Sequence, residues 1–257
     1  MRNEKTALVV LLSVFSLAGW GSEFKCKTAD IGEWSKVSYV YDGDTVKLND
    51  GRIVRLIGID TPERARRGKP AEQFADKATT RLRDLISHSA QIGLQYESER
   101  FDKYGRTLAH LHLNDRTNIA ERLLVEGLAT SLVFPPNVKN IECLIAAENH
   151  AQKSQKGIWR LLQYRPKHVS AIAPGDLGFT RLLGRVTAIK AIKKGRLLLL
   201  DGPVKLYIAK TDAHYFTTKV LEALVGTKIE VQGQLYRYKK QQQIKIAHPL
   251  MITRMLD

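Results

Sequence analysis

Carboxylates and arginines crowd into three short stretches of this chain: Asp42-Gly43-Asp44-Thr45, Arg55-Leu56-Ile57-Gly58-Ile59-Asp60-Thr61-Pro62-Glu63 and Asp102-Lys103-Tyr104-Gly105-Arg106. Hydrolysis of a phosphodiester needs a positioned water, charge neutralisation at the phosphorus oxygens and help for the leaving oxygen. These side chains are of the types that supply all three. Each stretch also has a plain explanation. Asp-Gly-Asp is a common turn, and Asp60 with Glu63 three residues on could be the capping box of a helix. Arg55 and Arg106 could be solvated strand residues, and Tyr104 a half-buried turn aromatic. The joint occurrence, in this order, is what favours chemistry.

Secondary structure must hold the three stretches together. Lys36 to Tyr41, Thr45 to Leu48 and Arg52 to Ile59 are short β-branched and apolar runs. Turn residues at Asp42-Gly43 and Asn49-Asp50-Gly51 separate them, which predicts a β-meander. Phe74, Ala78, Leu82 and Leu85 form a helical stripe between Pro70 and His88. Strands are expected over Gln91 to Tyr96 and Arg106 to Leu113. A second helix covers Asn118 to Glu126 and is stopped by Gly127. After Pro135-Pro136, a third runs from Val138 to Lys156. Arg165-Pro166 and Ala173-Pro174-Gly175 bracket an expected linker. Beyond it, Arg185 to Ile192, Arg196 to Leu200, Val204 to Ala209, Lys228 to Tyr238 and Gln243 to Thr253 read as five strands. A helix at Thr218 to Val225 lies between the third and fourth, which is the order of an OB-fold barrel.

The three stretches, and Gly157-Ile158-Trp159 at the end of the third helix, make the chain resemble the Staphylococcal-nuclease-like, or thermonuclease, family from about residue 35 to Trp159. The resemblance implies an OB-like five-stranded barrel with three helices; with the second small OB-like barrel read from the strand order above, the fold class is α+β, mainly β. It implies that Asp44 and Asp60 are calcium carboxylates, with a carbonyl ligand at Thr61. It implies that Glu63 is the general base, that Arg55 holds the scissile phosphate, and that Arg106 stabilises the transition state. Lys103 and Tyr104 would contact a terminal phosphate of the bound nucleotide. Cleavage of DNA and RNA to 3′-phosphate products would follow. There are departures. The hairpin between Thr45 and Arg55 is a few residues shorter than in the Staphylococcal enzyme. Where that enzyme stacks a tyrosine on the base, this chain has Val133, with Phe134 beside it.

Composition agrees with such a partner. The 257 residues carry a formal net charge of +15, which attracts polyanions. A hydrophobic fraction of 44 % is enough for packed cores and argues against a disordered chain. The block from Gly178 onward has a marked excess of Lys and Arg over Asp and Glu. Tyr236 and Tyr238 lie two apart on one expected strand, so they share a face and could stack bases. Alternatively, they pack a small barrel that the lysines keep soluble.

Arg2 and Lys5, the apolar run Ala7 to Ala18, and the small residues Gly19, Gly21 and Ser22 have the layout of a secretory signal peptide. Cleavage could follow Ala18 or Gly21, and an uncleaved anchor is the alternative. Export, to a periplasm or out of the cell, would place Cys26 and Cys143 in an oxidising compartment. There they either form one disulfide or stay as two thiols. The expected organisation is a signal peptide over 1–21, a catalytic domain over 32–162, a linker over 163–177 and an OB-like, nucleic-acid-binding domain over 178–257. The competing reading is a nuclease-like fold that has lost catalysis and only binds nucleic acid or protein. Such a protein should lack some of Asp44, Arg55, Asp60, Glu63 and Arg106, and here all are present.

Overall fold

Alternating apolar residues and tight turns build the first half. The computed structural model describes Cys26, residues 31–66 and residues 68–255. In it, β1 (Glu33–Ser35) and β2 (Val37–Val40) form one run interrupted at Lys36, followed by β3 (Thr45–Leu48), β4 (Ile53–Leu56) and β5 (Ile59–Asp60). Next come α1 (Ala75–Ser87), β6 (Ile92–Gln95), β7 (Thr107–His112), α2 (Ile119–Val125), β8 (Thr130–Ser131) and α3 (Ile141–Lys153). The sheet order is β1-β6-β7-β4-β3-β2. Because β1 and β2 are contiguous, the two edges belong to one run and the sheet closes as the expected five-stranded barrel. Val46, Leu48, Val54, Leu94 and Leu111 are fully buried in its core, joined by Leu82 of α1, Leu123 of α2 and Leu144 of α3.

Several expected elements are shorter or divided. The Arg52 to Ile59 strand breaks into β4 and β5 because Gly58 turns the chain at φ 85°. A Cβ there would come within 2.4 Å of Leu144 Cδ1, so only glycine lets α3 pack on this turn. Helix α1 starts at Ala75 rather than near Pro70, after Phe74 in the left-handed region at φ 73°. Helix α3 spans less than Val138 to Lys156. Asn118 caps α2, its side chain accepting from the Glu121 N–H. Asp60 lies in β5 and no helix follows it, so the capping-box alternative is overturned. Cys26 and Cys143 are disulfide-bonded with Cα atoms 5.4 Å apart. The expected signal segment lies outside the described residues. Among those described, no helix is long and apolar enough to cross a membrane.

The second half contains β9 (Lys167–His168), β10 (Gly178–Ile192), β11 (Gly195–Leu200), β12 (Lys205–Ala209), α4 (Thr218–Glu222), β13 (Lys228–Tyr238), β14 (Gln241–Lys245) and β15 (Ile252–Arg254). β10 begins earlier than Arg185. It pairs with β13 up to Arg185 and with β11 from Val186, with a register shift between Val186 and Ala188. One irregular strand therefore serves both sides and closes the barrel β10-β11-β12-β14-β13. β12 and β14 are parallel, and α4 sits between the third and fourth strands, so this is the OB order. The Gln243 to Thr253 run is not one strand; Pro249–Met251 forms a 3-10 turn between β14 and β15. Residues 163–177 are no free tether. Val169 and Ile172 are part of the second core, and β9 pairs alongside β10.

The two halves pack on each other. Trp159, Tyr164 and Phe179 form a chain of ring contacts at 5.6 and 5.3 Å. The Arg181 guanidinium lies 5.5 Å from the Trp159 ring. Leu250 and Met251 rest against the first core. Between the halves, Glu148 is buried and accepts from the Ser131 N–H (2.7 Å), the Ser131 hydroxyl (2.6 Å) and Gln232 Nε2 (2.7 Å). Burial pushes its carboxyl up to about 7, against the pull of those bonds and of Arg181. A raised folded value means that the stability from this group is fully present below the unfolded value near 4.5 and lost as pH rises through about 7. Glu148→Gln should therefore flatten the decline of Tm between about pH 5 and about pH 8. An unchanged slope in that variant would assign the decline to other groups.

Candidate active site

Three segments of the first barrel carry the motif; Arg55, in the second, bonds Asp60 and lines a cavity with the third. The hairpin turn between β2 and β3 packs on α1 and on the segment after β5. A Cβ on Gly43 would lie 2.8 Å from both Ala78 Cβ and Thr61 Oγ1, so the close approach requires glycine. That approach lets Asp44, although buried, meet several donors. Its Oδ2 accepts from the Thr61 N–H (3.0 Å) and hydroxyl (2.9 Å), and its Oδ1 from the Thr45 hydroxyl (3.0 Å).

Arg55, on β4, stands between two carboxylates. Its Nε is 3.1 Å from Asp44 Oδ1, and its Nη2 donates to Asp60 Oδ1 at 2.9 Å. Nη1 donates to the Leu56 and Ile59 carbonyls at 2.7 and 2.9 Å. The Arg55 side chain is only 12 % exposed, so its position is set by these contacts rather than by solvent. Burial, then the charges of Asp44, Glu63 and Glu72, push the Asp60 carboxyl up to about 6 against the opposing pull of Arg55. Burial and the Asp44 charge do the same to Asp42, also to about 6. Sequence reasoning passed over Asp42 as a turn residue. Its Oδ1 accepts the Asp44 N–H (3.2 Å) and its Oδ2 pairs with Arg66 (3.1 Å).

These donors are all hard oxygens crowded with negative charge, which suits a hard divalent cation. Asp44 and Asp60 share one guanidinium and so lie close together. The Thr61 N–H and hydroxyl both face Asp44, leaving its carbonyl as the group to offer a cation. Among the described residues, the gathering of Cys26, Cys143 and Glu121 is no rival site. Its sulfurs are joined in the disulfide, and Glu121 Oε2 accepts the Cys26 N–H at 3.0 Å.

Glu63 is exposed beside this cluster. It and Asp60, Thr61 and Glu72 line a cleft of about 450 Å³ whose opposite wall includes Phe179 and Gln234 of the second barrel. Glu72 braces the loop: its Oε2 accepts the Glu63 N–H at 3.0 Å, and its own N–H donates to the Glu63 carbonyl at 2.9 Å. No side chain among the described residues bonds the Glu63 carboxylate. Neither Glu72 nor the second-barrel wall was singled out from the sequence.

Arg55 also lines a second cavity, of about 360 Å³, together with Arg106, Lys103, Tyr104 and Phe134. Asp102 organises this side. It accepts the Tyr104 and Arg106 N–H groups (both 2.9 Å) and Arg106 Nε (2.6 Å). Burial alone would raise the Asp102 carboxyl, but these bonds outweigh it and hold it below the ordinary value. Lys103 Nζ and the Arg106 guanidinium lie 4.9 and 5.7 Å from the Tyr104 ring. Val133 is buried, whereas its neighbour Phe134 is 60 % exposed and faces the cavity, so Phe134 is the ring available to a base. Tyr236 and Tyr238 lie apart from both cavities, in a third on the second barrel.

The model of the Staphylococcal nuclease homologue family matches residues 53–161. A thermonuclease of Staphylococcus intermedius is 35% identical over 158 residues, covering 60% of this chain and 92% of that protein. A thermonuclease of Staphylococcus hyicus is 32% identical over 157 residues, with the same coverages. Endonuclease YncB of Bacillus subtilis is 34% identical over 123 residues, 46% of this chain and 57% of that protein. The matched span holds Arg55, Asp60, Glu63 and Arg106, and the second barrel lies beyond it. With nearly the whole of a relative aligned at this identity, the chain belongs to the Staphylococcal nuclease family.

Proposed function

We propose that this member of a nuclease family is an exported, calcium-dependent enzyme that hydrolyses phosphodiester bonds of DNA and RNA, leaving 3′-phosphate ends. The observation that carries it is the pairing of Arg55 with both Asp44 and Asp60, next to a Glu63 carboxylate that no described side chain bonds, in an open cleft. Asp44, Asp60 and the Thr61 carbonyl would hold the ion. Bound Ca²⁺ supplies positive charge at the phosphate oxygens. Glu63 takes the proton from the attacking water. Arg106 faces the cavity with its outer N–H groups while Asp102 holds its Nε, so it can meet charge that develops on the phosphoryl oxygens.

Arg55 has five N–H donors; three are hydrogen-bonded, to Asp60 and to two carbonyls, and its Nε is in an ion pair with Asp44. Its Nε and Nη2, the pair that forms a flat fork, lie against Asp44 and Asp60. The carboxylates must therefore turn toward another positive charge before the fork can grip a phosphate through two oxygens. Lys103 and Tyr104 would contact a terminal phosphate, and Phe134 would stack on its base. Export is supported by the N-terminal residue pattern and by a disulfide, which persists in oxidising compartments.

Digestion of plasmid DNA and of RNA should require Ca²⁺ and stop in a calcium chelator. Undiminished cleavage in chelator would remove the ion from the reaction. Failure to cleave with calcium present would favour a binding module on a nuclease fold.

A further inference from the structure

We propose that the outward face of β13 is a track that leads a single nucleic-acid strand from the catalytic cleft to a base-stacking pocket on the second barrel. This rests on reading the cleft as a nuclease site. Side chains alternate along a strand. Val231 and Leu235 point into the second core, so Gln232, Gln234, Tyr236 and Tyr238 share the opposite face. Each does something different in order along it. Gln232 bonds Glu148. Gln234 lines the cleft that holds Asp60, Thr61 and Glu63. Tyr236 and Tyr238 line a cavity of about 380 Å³ with Tyr207, Leu197, Lys193 and Lys194.

The pocket has the equipment for stacking bases. Two of its three rings are fixed: the Tyr207 hydroxyl donates to the Lys194 carbonyl at 2.9 Å, and the Tyr236 hydroxyl to Gln243 Oε1 at 3.4 Å. Tyr238 is 49% exposed, so its ring is open to an incoming base. The β10–β11 turn contributes Lys193 and Lys194 at the rim, and the β13–β14 turn contributes Lys239 and Lys240. Lys239 Nζ sits 5.9 Å from the Tyr238 ring. None of these four lysines pairs with a carboxylate among the described residues. Unneutralised cations around open aromatic rings fit a phosphate backbone with unstacked bases. A duplex, whose bases stay stacked and paired, could not enter.

From Gln234 to Tyr238 is about 14 Å along the strand, and because an unstacked strand extends further than the roughly 3.4 Å per nucleotide of a stacked one, at most about four nucleotides cover it. Affinity should therefore depend on strand length. The test is a fluorescence-anisotropy titration of the full chain with labelled oligothymidylates of about 2 to about 12 nucleotides. It is run in chelator so that nothing is cut. Wild-type affinity is expected to step up by the time the strand reaches about four nucleotides. Tyr236→Ala with Tyr238→Ala should remove the step and weaken binding of the longest strand about tenfold or more. Lys193→Ala with Lys194→Ala should reduce the slope of log K against log salt by about 1.4. Thermal melting checks that each variant is folded. Equal affinity for short and long strands, or a step that survives the tyrosine substitutions, overturns the proposal. A protein that never cleaves with calcium yet shows the step and its loss would defeat the nuclease reading while supporting the track.

Discussion

Glu63→Gln should lower kcat by at least about 10²-fold, because the amide keeps the shape of the carboxylate but cannot take a proton from water. The structure makes this substitution clean. Glu63 is exposed, its carboxylate supports no other described side chain, and its loop is held by bonds from its own N–H and carbonyl to Glu72 that glutamine leaves intact. Melting temperature and oligonucleotide affinity should stay near wild type while turnover falls. Kinetics within a factor of a few of wild type would give the proton to another group, and Glu72 would be the next candidate.

Arg55→Lys is expected to fall further, by about 10³-fold in kcat, because it loses both the flat fork and the position from which the fork acts. A lysine ammonium has three donors and cannot reach Asp44, Asp60 and two carbonyls together. Asp44 and Asp60 would be left with more mutual repulsion than Arg55 now offsets, so Tm should also drop. The two effects can be separated. Raising calcium should recover part of the Tm, since the ion binds the same carboxylates, but should not restore the rate. Recovery of turnover at high calcium would mean that Arg55 only neutralises its neighbours and does not grip phosphate.

What the sequence made legible was local in origin. The β3 alternation Thr45–Leu48, the Leu82 and Leu85 stripe and the Asn118 cap each declare themselves within a few residues. The active-site motif is similar, because its carboxylates and arginines fall in three short stretches. Outside those stretches, single positions mattered. Val133 and Phe134 are adjacent, yet one is buried in the core and the other faces the cavity that Arg55 and Arg106 line. Asp42 looked like turn chemistry, since only the packing of Gly43 on Thr61 and Ala78 shows how deeply that turn is buried. Proline and glycine near 166 and 174 suggested a tether, but Val169 and Ile172 turn inward. Phe179 and Gln234 form the far wall of the cleft from more than a hundred residues away in sequence. No local pattern encodes that contact, because it arises from how two barrels pack.

The Glu148 clasp has a mechanical side. Gln232 donates to both Glu148 and the Ser131 hydroxyl. Ser131 is next to Thr130, which pairs with Asp60 across β5 and β8. The second barrel thus steadies a proposed ion ligand through one short strand, and the covered aromatic face of Trp159 and Tyr164 adds to the joint. Cutting the gene near residue 162 would remove that support. It would strip Glu148 of a partner and leave β8 less constrained. Anyone grafting this C-terminal barrel onto another nuclease would have to transplant β8 and the facing side of α3 with it, because the seam between the halves, not the boundary in the sequence, defines the unit that can be moved.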